Sequence, residues 1–195
     1  MPITEILEQN ALKYGDDIAL VEINPQEMEK RHASWKEYSL IEASSVDSFR
    51  SEMTWKQFDE KANRLANFLL TRRLPRGAKV GILLMNCLEW LPIYFGILKS
   101  GCMAVPLNFR YTPEEIRYCL DLADVDLLLF GPEFTGRIEA IYDHLPRKTT
   151  LLYVGGDCPT FAEPYYSLVA RCSTEAPGIP LTDEDDAAIY FSSGT

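Results

Sequence analysis

The 195-residue chain carries 19 basic and 29 acidic side chains, a formal charge of −10, and is 47% hydrophobic and 25% charged. That balance excludes a disordered or fibrous chain, and about 70% of the surface of a chain this long leaves water on folding, enough for one domain with a real core. The negative charge argues against a nucleic-acid binder that works by phosphate neutralisation and against a polybasic membrane-surface module.

From the N-terminus, residues 1–14 lack the basic start and apolar run of a signal peptide. A first helix is expected over 4–13 and a short strand over 18–21. Residues 22–52 read as an irregular insertion, rich in charge and serine, a surface segment pinned by Trp35. Thr54 and Gln57 form a capping-box pair, opening a helix whose buried face is Phe58, Ala62, Leu65, Ala66 and Leu69. Residues 79–84 predict a buried strand. Asn86 to Glu89 repeats the cap logic for a helix running through Lys99, apolar nearly all round and so deeply buried. Pro92 suits a first turn better than an interior, so this helix starts late or bends there. Its longest apolar run, 91–98, is far too short to span a bilayer.

Gly101 is suited to stop that helix. Residues 103–107 predict a strand that Pro106 either ends or confines to an edge. Thr112, Pro113 and Glu115 start a helix with Ile116, Cys119, Leu120 and Ala123 on its buried face. A strand over 125–130, a helix carrying Phe134, Ile138, Ile141 and Leu145, and a strand over 149–154 follow. Residues 173–186 form a polar connector, and 187–191 a last strand that runs into Ser192, Ser193, Gly194 and Thr195. The alternation predicts an α/β fold, a mainly parallel sheet flanked by helices with right-handed crossovers.

Five scattered cysteines without a Cys-x-x-Cys pair, and two histidines without ligand partners, point to a reduced, cytoplasmic setting and no zinc site. The acidic run 183–186 reads as a solvated connector and not a metal site. Arg72, Arg73, Arg76 and Lys79 read as cations near a helix C-terminus, the alternative being an anion patch. Arg110 is expected to brace the turn before Thr112, and Asp124 and Asp126 to face water at strand ends. There is no Gly-x-Ser-x-Gly, complete Walker loop or Gly-x-Gly-x-x-Gly. What remains is the end of the chain. A strand followed by Ser192-Ser193-Gly194-Thr195 supplies hydroxyls, amides and a flexible glycine at the sheet's carboxyl edge, the parts of a phosphate cradle. Those four residues alone equally suit an ordinary turn or a frayed end.

Four motifs in order change that weighting: Thr54-Trp-Lys-Gln-Phe58, then Leu98-Lys-Ser-Gly-Cys-Met-Ala-Val-Pro-Leu-Asn108, then Thr112-Pro-Glu-Glu-Ile116, then Ala188-Ile-Tyr-Phe-Ser-Ser-Gly-Thr195. Together they resemble the N-terminal part of the adenylate-forming superfamily, the acyl-CoA synthetases and their relatives. The resemblance runs from about Ile3 to Thr195 except across 22–52, where the family has a short hairpin. It implies that residues 1–195 are a partial N-terminal domain, truncated within the phosphate loop and lacking the C-terminal domain. Ser192, Ser193 and Thr195 would hold ATP phosphates, with Gly194 letting the loop fold back on them. The implied reaction activates a small carboxylic acid with ATP and magnesium to an acyl-adenylate, which coenzyme A then takes up as a thioester. Met103 to Asn108 followed by Phe109-Arg110 looks more like fatty-acyl or aryl-CoA ligases than amino-acid-activating relatives.

By this resemblance the parent is an acyl-CoA ligase, while the fragment holds no catalytic residue or metal ligand and is expected to be inactive alone. The alternatives are an aryl-acid ligase and a non-catalytic interaction or regulatory module. An unrelated nucleotide-binding domain would need a complete phosphate loop elsewhere. The fragment is expected to self-associate through exposed apolar surface or an open sheet edge.

Overall fold

The apolar run Leu127–Phe130 has all four residues buried, as befits a strand covered on both faces. It is β5 of a five-stranded parallel sheet in the computed structural model, which describes residues 1–23, 50–145 and 149–192. The sheet has the order β4-β3-β5-β6-β7, with β3 at Lys79–Leu83, β4 at Met103–Pro106, β6 at Thr150–Tyr153 and β7 at Glu163–Pro164. Neighbours pair in parallel, with Gly81 opposite both Val105 and Leu128 and Leu129 opposite Leu152.

Side chains alternate between two cores, as the twofold period of a strand requires. Val80, Ile82, Ala104, Leu127, Leu129 and Leu152 face a layer made by α2 (Trp55–Thr71), α3 (Trp90–Lys99) and α6 (Tyr165–Val169). Leu83, Val105, Leu128, Phe130, Leu151 and Tyr153 face α4 (Pro113–Leu122) and α5 (Thr135–Ile141). The expected sandwich of helices around a parallel sheet is therefore present. The first helix, α1 (Ile3–Lys13), lies on α2 and α3, where Leu7 joins Phe58 and Ala62 in a small third core.

Both capping boxes form. Thr54 Oγ1 accepts from Gln57 N at 3.3 Å while Gln57 Oε1 accepts from Thr54 N at 3.0 Å. Thr112 and Glu115 make the same exchange at 3.3 and 2.8 Å. Thr54→Ala and Thr112→Ala are each expected to cost about 1 kcal/mol, read from urea midpoints, because each leaves a first-turn amide without its acceptor.

Other expectations need correction. The irregular stretch 22–52 begins and ends as strand. β1 (Ile18–Ile23) and β2 (Arg50–Thr54) pair antiparallel, with Ile23 opposite Arg50, Glu22 opposite Ser51 and Leu20 opposite Met53. Cross-strand pairing over five registered positions overrides the polar composition of 50–52; Trp35 and the rest of 24–49 lie outside the described residues. Asn86 does not cap α3. The helix begins at Trp90 with Glu89 as N-cap and no side-chain cap bond, which puts Pro92 in the first turn. The Leu88 amide finds its acceptor in Glu22 Oε2 of β1, 2.9 Å away, so a distant residue does the work expected of a local one. Asp126 is not a solvated end: it is half-buried and its Oδ2 accepts from Lys79 N at 3.0 Å, tying the start of β3 to β5. The brace before α4 is Arg137, whose Nη1 donates to the carbonyls of Phe109 at 2.6 Å and Tyr111 at 3.1 Å, while the Arg110 guanidinium rests over the Phe109 ring.

Arg72 and Arg76 turn to separate carboxylates. Arg72 lies over Phe68 and pairs with Glu163. Arg76 donates to Asp185 Oδ1 at 2.5 Å and to the Pro180 carbonyl at 3.0 Å, pinning the 173–186 connector. Asp185 also accepts from Thr182 N at 2.7 Å, and these bonds, Arg76 first, hold its carboxyl below the ordinary 3.8. A carboxyl with a depressed folded value stabilises above its unfolded value and loses that contribution as pH falls through the folded one. Protection of the Thr182 amide, relative to its intrinsic exchange rate, is therefore expected to fall on acidification below 3.8, and Arg76→Gln to move that fall to higher pH.

Candidate phosphate-binding site

The segment expected as the last strand joins the sheet at one point. Ala188 pairs in parallel with Ala104 of β4: Ala104 N donates to the Ala187 carbonyl at 2.9 Å, and Ile189 N donates to the Ala104 carbonyl at 2.9 Å. The next rung would need an amide hydrogen from residue 106, and Pro106 has none. Residues 187–191 are thus an isolated bridge rather than a full strand. β4 ends at that same proline, as its residue type suggested.

Side-chain alternation persists beyond the backbone pairing. Ala188 packs on the α2/α3 core, and Ile189 and Phe191 pack on the α4/α5 core. Tyr190 is 67% exposed, and its hydroxyl donates to the Tyr94 hydroxyl on α3 at 3.1 Å. Tyr94 is in turn stacked on Trp90, ring centroids 5.5 Å apart and planes 11° from parallel.

Because the bridge is parallel, Ser192 leaves at the carboxyl edge of the sheet, where open α/β sheets bind ligands. It is exposed and accessible to a ligand. Of the four residues read as the phosphate cradle, the structure places Ser192 there; Ser193, Gly194 and Thr195 lie outside the described residues.

Burial, followed by the hydrogen bond with Tyr190, pushes the Tyr94 phenol far above the usual tyrosine range. Burial likewise raises the thiols of Cys87, Cys102, Cys119 and Cys158, which removes the thiolate that a cysteine nucleophile needs. Among the described residues no group of three or more His, Cys, Asp or Glu side chains converges as a metal cage. Ser192 brings one exposed hydroxyl to this edge, a group able to donate to a phosphate.

Sequence reasoning missed Tyr94. Its partner lies 96 positions away, and a tyrosine in an apolar helix looks like any other core residue.

These features define an α/β domain built on a parallel sheet, with Ser192 at its carboxyl edge. The sequence profile of the AMP-binding enzymes matches residues 7–195, and the chain belongs to that family. The medium/long-chain-fatty-acid–CoA/3-oxocholest-4-en-26-oate–CoA ligase of Mycobacterium marinum is 31% identical over 152 residues, covering 74% of this chain and 28% of that protein. Long-chain-fatty-acid–CoA ligase FadD13 of Mycobacterium tuberculosis is 28% identical over 144 residues, 73% of this chain and 27% of its own length. Among solved structures, the anthranilate CoA ligase AuaEII in complex with anthranoyl-AMP superposes with a TM-score of 0.80 at 25% identity, covering all of this chain and 33% of that one. The chain thus spans little more than a quarter of the length of these two curated relatives. Among the described residues no helix is long and apolar enough to cross a membrane.

Proposed function

We propose that this chain is the N-terminal part of an ATP-dependent fatty-acyl-CoA ligase and supplies the first half of its phosphate loop. The observation that carries this reading is the parallel bridge of Ala188 to Ala104, which delivers Ser192 to the carboxyl edge of the sheet. In this reading the Ser192, Ser193 and Thr195 hydroxyls and the neighbouring amides meet the phosphates, and Gly194 allows the backbone to close on them. Donors fixed in advance lower the barrier to attack by a carboxylate on the α-phosphate, because they need not reorganise as charge develops. Magnesium, arriving with ATP, would neutralise phosphate charge, and its protein ligands would lie outside the described residues. Residues 1–195 then form a partial N-terminal domain, the thioester acceptor is coenzyme A, and the setting is cytoplasmic. The fatty-acid preference rests on the curated relatives, whose names specify medium- and long-chain fatty acids; an aryl acid is the competing substrate class, as in the anthranilate ligase.

The test is carboxylate-dependent pyrophosphate release. A polypeptide in which this chain continues through an adenylate-forming domain is expected to release pyrophosphate with medium- or long-chain fatty acids, and less with anthranilate or benzoate. The 195-residue chain is expected to release none. Release by the short chain overturns its inactivity, and no release by the longer one favours an interaction or regulatory module. The short chain is also inferred to self-associate, since Leu12, Tyr118, Leu122 and Tyr190 are all more than half exposed; static light scattering is expected to show a mass that rises with concentration.

A further inference from the structure

The path from the sheet to Ser192 has an unusual division of labour. Backbone pairing ends at Ile189, whose amide donates to Ala104. Three residues of extended chain reach about 10 Å, so a loop held only there could swing through several ångströms at Ser192. Two side chains on opposite faces take over. Phe191 packs into the core under the α4/α5 layer, and Tyr190 reaches the other way to the Tyr94 hydroxyl. Tyr94 is itself held in orientation by stacking on Trp90 in the first turn of α3, next to the Leu88 amide that Glu22 anchors.

We propose that Tyr94 is a positioning residue for the phosphate loop. Its hydroxyl holds Tyr190, and with Phe191 it clamps residues 190–192 so that Ser192 is presented at a fixed height above the carboxyl edge. This inference rests on the ligase reading above. Tyr94 touches neither nucleotide nor acid in it and acts through Tyr190. The raised phenol keeps the hydroxyl protonated through the neutral and mildly alkaline range, so the tie does not switch with pH there.

Two measurements test this with Tyr94→Phe and Tyr190→Phe, which keep the rings and remove one hydroxyl each. In the 195-residue chain, exchange of the Ile189 amide, the last one bonded to the sheet, is expected to accelerate about threefold to tenfold in either variant, the factor one neutral hydrogen bond supplies, and no further in the double variant. In the longer ligase, KM for ATP is expected to rise by a similar factor while KM for the acid stays put, a split that a general loss of stability would not produce. Unchanged exchange of the Ile189 amide overturns the clamp. Unchanged KM for ATP in an active parent overturns the positioning role alone. A parent that releases no pyrophosphate with any acid overturns the ligase reading, and with it this one.

Discussion

Lys99→Ala is expected to destabilise the chain by about 3–5 kcal/mol, the range for removing one member of a buried ion pair. The Lys99 side chain is only 1% exposed at the end of an otherwise apolar helix. All three of its ammonium protons are used: Glu8 Oε1 of α1 at 2.8 Å, Asp59 Oδ1 of α2 at 2.7 Å, and Asn63 Oδ1 of α2 at 2.8 Å. Asn63 Nδ2 donates onward to Asp59 Oδ2 and to the Thr174 carbonyl, both at 2.9 Å. One ammonium thus closes the junction of three helices and reaches the connector before the candidate site. Truncation to alanine leaves the Asp59 carboxylate, whose side chain is 18% exposed, without its cation and adds a void. Lys99→Met refills much of the volume but not the charge, so it should fall between the parent and the alanine variant in urea unfolding. Adding Asp59→Asn to Lys99→Met is expected to recover part of the loss. If the alanine variant unfolded within about 1 kcal/mol of the parent, the cluster would be compensated by water and the ion pair of little consequence.

The second large effect is expected at Gly96 in α3. A methyl group built there would meet the Ala62 carbonyl oxygen at 2.8 Å and the Leu65 Cβ at 2.9 Å, both on α2. Neither atom is the far end of a flexible side chain, so Gly96→Ala must part the helices rather than displace a rotamer. The expected cost is about 1–3 kcal/mol, against the roughly 1 kcal/mol that alanine gains over glycine in helix propensity. A parted α3 carries Tyr94 with it. Gly96→Ala is therefore expected to lower the midpoint of thermal unfolding and also to speed exchange of the Ile189 amide. Stability unchanged or raised would mean the helices relax at no cost.

Where a residue's partner is a near neighbour in the chain, its role was legible. Thr54 with Gln57, and Thr112 with Glu115, exchange hydrogen bonds across three positions, and both capping boxes formed. The apolar runs at β3 and β5 read correctly as strands, the first of them as buried, and Pro106 marked the end of β4. Asn86 misled because its cap logic is local while the acceptor actually used, Glu22, is 66 residues away. Arg110 misled for the same reason, since the bracing guanidinium belongs to Arg137. Glu163–Pro164 and Tyr165–Val169 are strand and helix too short for either period to register.

The candidate site divides along the same line. The residue types at 192–195 and the order of the four motifs were visible in the sequence, because a phosphate loop is a contiguous stretch whose chemistry lies in its own hydroxyls and amides. That this stretch hangs from β4 by one bridge, loses its next rung to Pro106 and is steadied by a tyrosine on α3 was decided by the tertiary structure alone. So was the burial of Lys99, which sits in the same motif as the helix-stopping Gly101. The physical reason is range. Caps, turns and strand periodicity are settled within a few bonds along the chain, whereas an ammonium between three helices or a hydroxyl against a distant tyrosine acquires its partner when the layers pack. The acidic charge, which argued against polyanion partners at the outset, places no bar on a phosphate held by a local loop. The sequence by itself therefore settled the fold class and singled out 192–195 as the candidate phosphate loop, and the packing of the layers decided which side chains meet the segment that leads to it.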